Sequence, residues 1–331
     1  MAESRSNAKL NVNLKADLSQ HTNSQSSSYQ NLRGDGLAAA SGASRTDRGT
    51  GRSTQVISVT SGKGGVGKST LVANLAIELE KQGKRVLLFD GDLGMANLDI
   101  FFQVRPQYNI SHVLNGEADI SDVIVPISNS ISLIPGGSGI FELQRMAPHA
   151  KQVLLDQVSD LGMIYDVMLI DTAPGIADHV LYLNSAAQEI LIVLTPDPSS
   201  LSDAYALIKV LHQRQRETKF CVVANQVRDE ADGARVFQRL ESVAAQFLPV
   251  ALTYRGYIPA DPHLRHCTRG QQLVTKSVPQ AESSRAIARL ARDLALPDTE
   301  DSPGLAGAAE FSQVECKGNL QFFWRQLIGA A

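Results

Sequence analysis

The sequence predicts an α/β protein built on a doubly wound, mostly parallel sheet, and three observations carry that expectation. Short apolar runs alternate with helix-period segments from Gln55 onward. Those runs are apolar at successive positions, as in strands buried on both faces. A glycine-rich loop joins the first run to the first helical segment.

QVISVT, VGKSTLVANLAIELEKQ and RVLLFD follow one another as strand, helix and strand, a β-α-β unit. Further strands are expected at ISLIP (131–135), YDVMLID (165–171), EILIVLT (189–195), KFCVVAN (219–225) and VALTYRGYIP (250–259). Helical periods over 178–187, 202–213 and 233–247 supply the crossovers. One domain over about 55–296 accounts for all of these elements. Residues 1–54, rich in Ser, Asn, Gln, Gly and Arg, bury too little apolar surface to offset their ordering entropy, so a disordered tail is expected there. Residues 297–316 read as a linker, from their Pro, Gly and acidic content. In 317–331, Leu320, Phe323, Trp324, Leu327 and Ile328 fall at i, i+3, i+4, i+7 and i+8, one face of an amphipathic helix.

Composition narrows the function. The 331 residues carry 31 basic and 34 acidic side chains, a net charge of -3, which supplies no global positive field, so direct nucleic-acid binding is not expected. Cys221, Cys267 and Cys316 are widely spaced, with no C-x-x-C pair for a metal or iron-sulfur cluster. No apolar run reaches about 18 residues and the first residues carry no secretory core, so a cytoplasmic location is expected.

The chemistry lies at strand ends. After the first strand, Gly62-Lys63-Gly64-Gly65-Val66-Gly67-Lys68-Ser69-Thr70 fits G-x-x-x-x-G-K-[ST] and opens a helix, the context that makes this motif a phosphate loop. Its backbone N-H groups cradle phosphate, Lys68 reaches the β- and γ-phosphates, and Ser69 can ligate Mg²⁺. ATP or ADP with Mg²⁺ is the expected cofactor. The second strand ends in Asp90-Gly91-Asp92, which places two carboxylates beside that loop, with Asp90 supporting Mg²⁺ or the loop itself. The third ends YDVMLIDTAPG, giving Asp171 the position of an acid that holds Mg²⁺, with Pro174 and Gly175 in the loop that follows.

With Lys63 inside the loop, KGGVGKST resembles the deviant Walker A ATPases of the MinD/ParA family. The resemblance implies a P-loop NTPase that dimerises on ATP, with Lys63 reaching the partner subunit's phosphates and Asp92 positioning the attacking water. It also places Asn225, Pro259 and Asp261 where the family contacts adenine. Hydrolysis in such a switch is expected to be slow and governed by partners. The stretches LLFDGDLGMANLDIFFQVRPQYNISHVLNGEADISDVIV, SLIPGGSG, DTAPGIADHVLYLNSAAQEILIVLTPDPSSLSDAYALIKVL and VVANQVRDEADGARVFQRL resemble the flagellar-number branch of the family, FlhG/FleN. That implies control of flagellar number and placement through a FleQ-type transcriptional regulator, an FlhF-type GTPase, or both. It also implies transient contact with the inner face of the membrane, in some cases polar, through the C-terminal helix. An N-terminal D-Q-A-x-x-L-R peptide that many members use on FlhF has as its nearest text here Tyr29-Gln30-Asn31-Leu32-Arg33, with different spacing. MinD-type division ATPases and ParA-type partition ATPases are the neighbouring branches. A metabolic P-loop synthetase would need an added substrate domain, which the chain lacks.

Overall fold

The computed structural model describes residues 54–92, 97–137, 148–162, 164–295 and 320–329. The expected tail over 1–54, apart from Thr54, and the expected linker over 297–316 lie outside the described residues. Thr54 is buried, and its hydroxyl donates to the Tyr165 carbonyl at 2.9 Å.

In chain order, β1 (Gln55–Thr60) leads into α1 (Lys68–Lys81), and β2 (Val86–Gly91), buried along its whole length, follows. Three short helices come next: α2 (Leu98–Phe102), α3 (Ile110–Leu114) and α4 (Ile120–Val123). Strands β3 (Val125–Pro126) and β4 (Ile131–Ile134) precede α5 (Pro148–Leu161). Then β5 (Val167–Thr172), α6 (Asp178–Ala186), β6 (Glu189–Leu194), α7 (Pro198–Gln215), β7 (Lys219–Val227), α8 (Glu230–Phe247) and β8 (Ala251–Pro259) alternate. The last helices are α9 (Pro262–Arg269), α10 (Val274–Ser277), α11 (Glu282–Ala295) and α12 (Leu320–Leu327).

The strands form one sheet in the order β3-β4-β2-β5-β1-β6-β7-β8, and every pairing except β3 with β4 is parallel. Each expected strand is present. The two-residue β3 carried too short a pattern to be read. Helices α7 and α8 begin a few residues ahead of their apolar periods because Asp197 and Asp229 act as N-caps, accepting from Ser199 N and Asp232 N.

Strand side chains alternate between two apolar layers. Ile57, Leu88 and Leu169 pack under α1 and α11 with Leu75, Leu79, Ile287 and Leu290. On the other face Phe89, Met168 and Ile170 meet α5, α6 and α12, while Ile192 and Val222 meet α7 and α8. The five apolar residues of the C-terminal helix are fully buried in this layer, with Phe89 edge-on to Phe323 at 5.8 Å and to Trp324 at 6.0 Å between ring centres. Of the two destinations the sequence left open for this face, lipid or the protein's own domain, the structure shows the second: the face is covered by the domain. The sequence period could only say that the face is apolar, not what meets it.

Parallel register brings Asp90 opposite Asp171 and Val59 opposite Asp171, so β1, β2 and β5 end at one level of one edge. The functional residues gather there.

Candidate nucleotide site

The loop after β1 is held in shape by its neighbours. Gly67 sits at φ 94° as the N-cap of α1, and a Cβ there would lie 2.6 Å from Asn225 Nδ2. Only glycine fits that turn against that amide. Asn225 donates from Nδ2 to the Val66 carbonyl at 2.7 Å, locking the loop to β7, and its Oδ1 accepts from Gln226 N. Gly175 N donates to Ser61 O at 2.9 Å, which ties the segment after β5 to the start of the same loop. Beneath, Thr172, Thr60, Asn184 and Ser58 form a buried hydrogen-bonded chain joining β5, β1 and α6. A buried network of this kind, with its partners met, fixes the loop's floor.

The cavity above holds about 490 Å³ and is lined by Lys68, Ser69, Asp92, Asn225, Pro259 and Asp261 among others. It therefore assembles residues more than 190 positions apart, all picked out from sequence. Lys68 is buried beside Asp171, whose carboxyl accepts from the Ser69 hydroxyl. Burial pushes the Asp171 carboxyl up to about 7, against the pull of Lys68 and Ser69. Its Oδ1 is buried without a hydrogen-bond partner. An orphaned carboxylate oxygen next to a serine hydroxyl at the phosphate loop suits a hard divalent cation with oxygen ligands, so the residues fit Mg²⁺.

Of the two roles the sequence left open for Asp90, Mg²⁺ or the loop, its hydrogen bonds favour the second. Its Oδ1 accepts from Asp92 N at 3.2 Å, and its Oδ2 from Asn97 N at 3.0 Å and Leu98 N at 3.2 Å. Both oxygens are committed to backbone. Asp90 therefore ties Asp92 to the start of α2. Burial raises its carboxyl to about 6, with those backbone donors pulling the other way.

Asp261 is likewise committed. It caps α9 by accepting from His263 N at 2.8 Å, and its other oxygen accepts from Ser283 N and Ser283 Oγ at the start of α11. Lys63 is not among the residues lining the cavity: its ammonium donates to Asp197 and Ser199 at the start of α7. Phe101, Leu264, Arg265, Thr268, Arg269 and Ile287 also line the cavity. Sequence reasoning missed them, since no motif marks them and only the packing of α2, α9 and α11 brings them there.

Comparison with known proteins places this site in a family. An AAA-domain family model matches residues 54–222. The antiactivator FleN of Pseudomonas aeruginosa is 35% identical over 274 residues, 83% of this chain and 93% of that protein. The chain belongs to the FleN/FlhG branch of the MinD/ParA ATPases. The flagellum site-determining protein YlxH of Helicobacter pylori, 37% identical over 240 residues, covers 72% of this chain and 81% of its own. Among solved structures, the MinD cell-division protein in the Aquifex aeolicus MinC:MinD complex matches with a TM-score of 0.57 at 29% identity, over 73% of this chain and 96% of that one. MinD of Pyrococcus horikoshii, solved with Mg-ADP, matches with a TM-score of 0.56 at 27% identity, again over 73% and 96%. A FleN/FlhG protein is a MinD/ParA-type ATPase that regulates flagellar number, which agrees with a cavity lined by the motif residues Lys68, Ser69 and Asp92. Among the described residues, no helix is long and apolar enough to cross a membrane.

Proposed function

We propose that this chain is an ATP-switched dimer that limits flagellar number and placement by changing partners with nucleotide state. The observation that carries the reading is the meeting of Lys68, Ser69 and Asp92 around one cavity, with the buried Asp171 carboxyl, one of its oxygens unpartnered, beside Lys68 and Ser69. The backbone N-H groups of 62–70 wrap the phosphates, and Lys68 neutralises the β- and γ-oxygens. Ser69 and Asp171 hold Mg²⁺, which when bound offsets charge across those oxygens. Asp92, oriented through its backbone bond to Asp90, aligns the attacking water; phosphoryl transfer asks for positioning rather than a strong base. Asn225, Pro259 and Asp261 form the base end, with Asp261 acting through the helix ends it ties together. Lys63 exchanges Asp197 for the partner subunit's phosphates when two copies close. Turnover is slow, because the product of the cycle is a change of partner.

A FleQ-type regulator and an FlhF-type GTPase are the proposed partners. Membrane contact, also part of this reading, requires α12 to leave its groove. Five apolar side chains at roughly 1.5–3 kcal/mol each then exchange one apolar environment for another, so lipid offsets most of the cost.

The test uses light scattering with ATP and Mg²⁺. Asp92→Ala is expected to bind ATP without hydrolysing it and to accumulate as a dimer, whereas Lys68→Ala stays monomeric. An Asp92→Ala protein that remains a monomer with ATP bound would sink the dimer reading.

A further inference from the structure

We infer that α11 carries a docking surface for a carboxylate-rich segment of a partner protein, on the face of the molecule opposite α12. Arg285, Arg289 and Arg292 are exposed on α11. At 100° per residue they fall within about 60° of arc and span about 10 Å. With Ala288 of the same helix, Glu78 of α1 and Gln82 just after α1, they line a groove of about 340 Å³.

Among the described residues none of these three guanidinium groups meets a carboxylate, whereas Arg85, Arg214, Arg228 and Arg235 are all ion-paired. The one acid in the groove, Glu78, is already neutralised by Lys81 at 2.6 Å. Arg289 lies over the Tyr257 ring at 5.9 Å, which fixes its direction. Ala288 leaves the groove floor open. Three guanidinium forks without a carboxylate partner, one of them directed by the Tyr257 ring, suit bidentate pairing with carboxylates. Same-side residues of an extended strand repeat about every 6.6 Å, close to the roughly 6 Å rise between Arg285 and Arg289.

Two other anionic partners fit less well. A nucleic-acid backbone is held by a longer row of cations than these three. A flat bilayer engaging α11 would lie across the sheet from the apolar helix α12, since the two helices pack on opposite faces.

The test measures fluorescence anisotropy of a labelled Glu-Ser-Glu-Ser-Glu-Ser peptide with the full chain at low salt. The Gln-Ser analogue, a 20-base-pair duplex and phosphatidylglycerol vesicles are run beside it. The peptide is expected to bind and its Gln analogue not to. The double variant Arg285→Ser, Arg292→Ser, which spares the Tyr257 contact, is expected to weaken binding at least tenfold, and Arg285→Lys with Arg292→Lys by about threefold. Undiminished binding by the Ser variant, or no binding by the wild type, overturns the inference. So does a duplex or vesicle that binds more tightly than the peptide and loses that binding in the same variant. Replacing Asp298, Glu300 and Asp301 with Asn should leave the affinity unchanged; a tenfold tightening would make this chain's own acidic stretch the occupant and overturn the partner.

Discussion

A Cβ at Gly62 would stand 2.1 Å from the Asp203 carbonyl oxygen, so the first residue of the phosphate loop is also where α7 comes closest. Gly62→Ala should cost about 1–3 kcal/mol in urea denaturation through overpacking, and should weaken ATP binding at least tenfold in titration calorimetry. Asp171 sets a pH dependence. Its carboxyl titrates near 7 in the folded, nucleotide-free protein, against about 4 in an unfolded chain. Between those values the folded state holds the extra proton, so nucleotide-free stability falls as pH rises from about 4 through 7. A cation needs the ionised form, and the ionised fraction drops about tenfold between pH 8 and pH 6. Mg²⁺-dependent nucleotide affinity should fall by about that factor over the same range; a flat profile would contradict the assignment of Asp171. At this scale the motif residues were legible because phosphate chemistry ties residue type to spacing. The duty of Asp90 was not: its donors lie at Asp92, Asn97 and Leu98, and an acid after a strand looks the same whether it binds a cation or a turn.

At the scale of elements, strands buried on both faces announced themselves, as in VLLFDG and VMLIDT, because a doubly covered sheet leaves no polar alternation to confuse them. The N-terminal ends of α7 and α8 were hidden by their caps, which bond backbone ahead of the first apolar residue. The destination of α12 was hidden for a deeper reason. An amphipathic period reports an apolar face, and lipid, partner and own core all satisfy it. The structure's answer can be measured through the chain's single tryptophan. Trp324 is fully buried against Phe89 and Phe323, so its emission should be blue-shifted in the nucleotide-free protein. Trp324→Ala should cost about 3–5 kcal/mol in denaturant unfolding. An emission maximum typical of exposed tryptophan, with unchanged stability in the variant, would place the helix elsewhere.

Across the whole molecule, the site sits where β1, β2 and β5 end together, while α11 and α12 pack on opposite faces of the sheet. In the proposed function, nucleotide state at this edge sets flagellar number. The most direct measurement counts flagella per cell, by electron microscopy, in a deletion strain carrying the wild-type chain, Lys68→Ala or no chain. The account predicts extra or misplaced flagella without the chain, a return to the normal count with the wild type, and no return with Lys68→Ala. Minicells with an unchanged flagellar count in the deletion strain would contradict it.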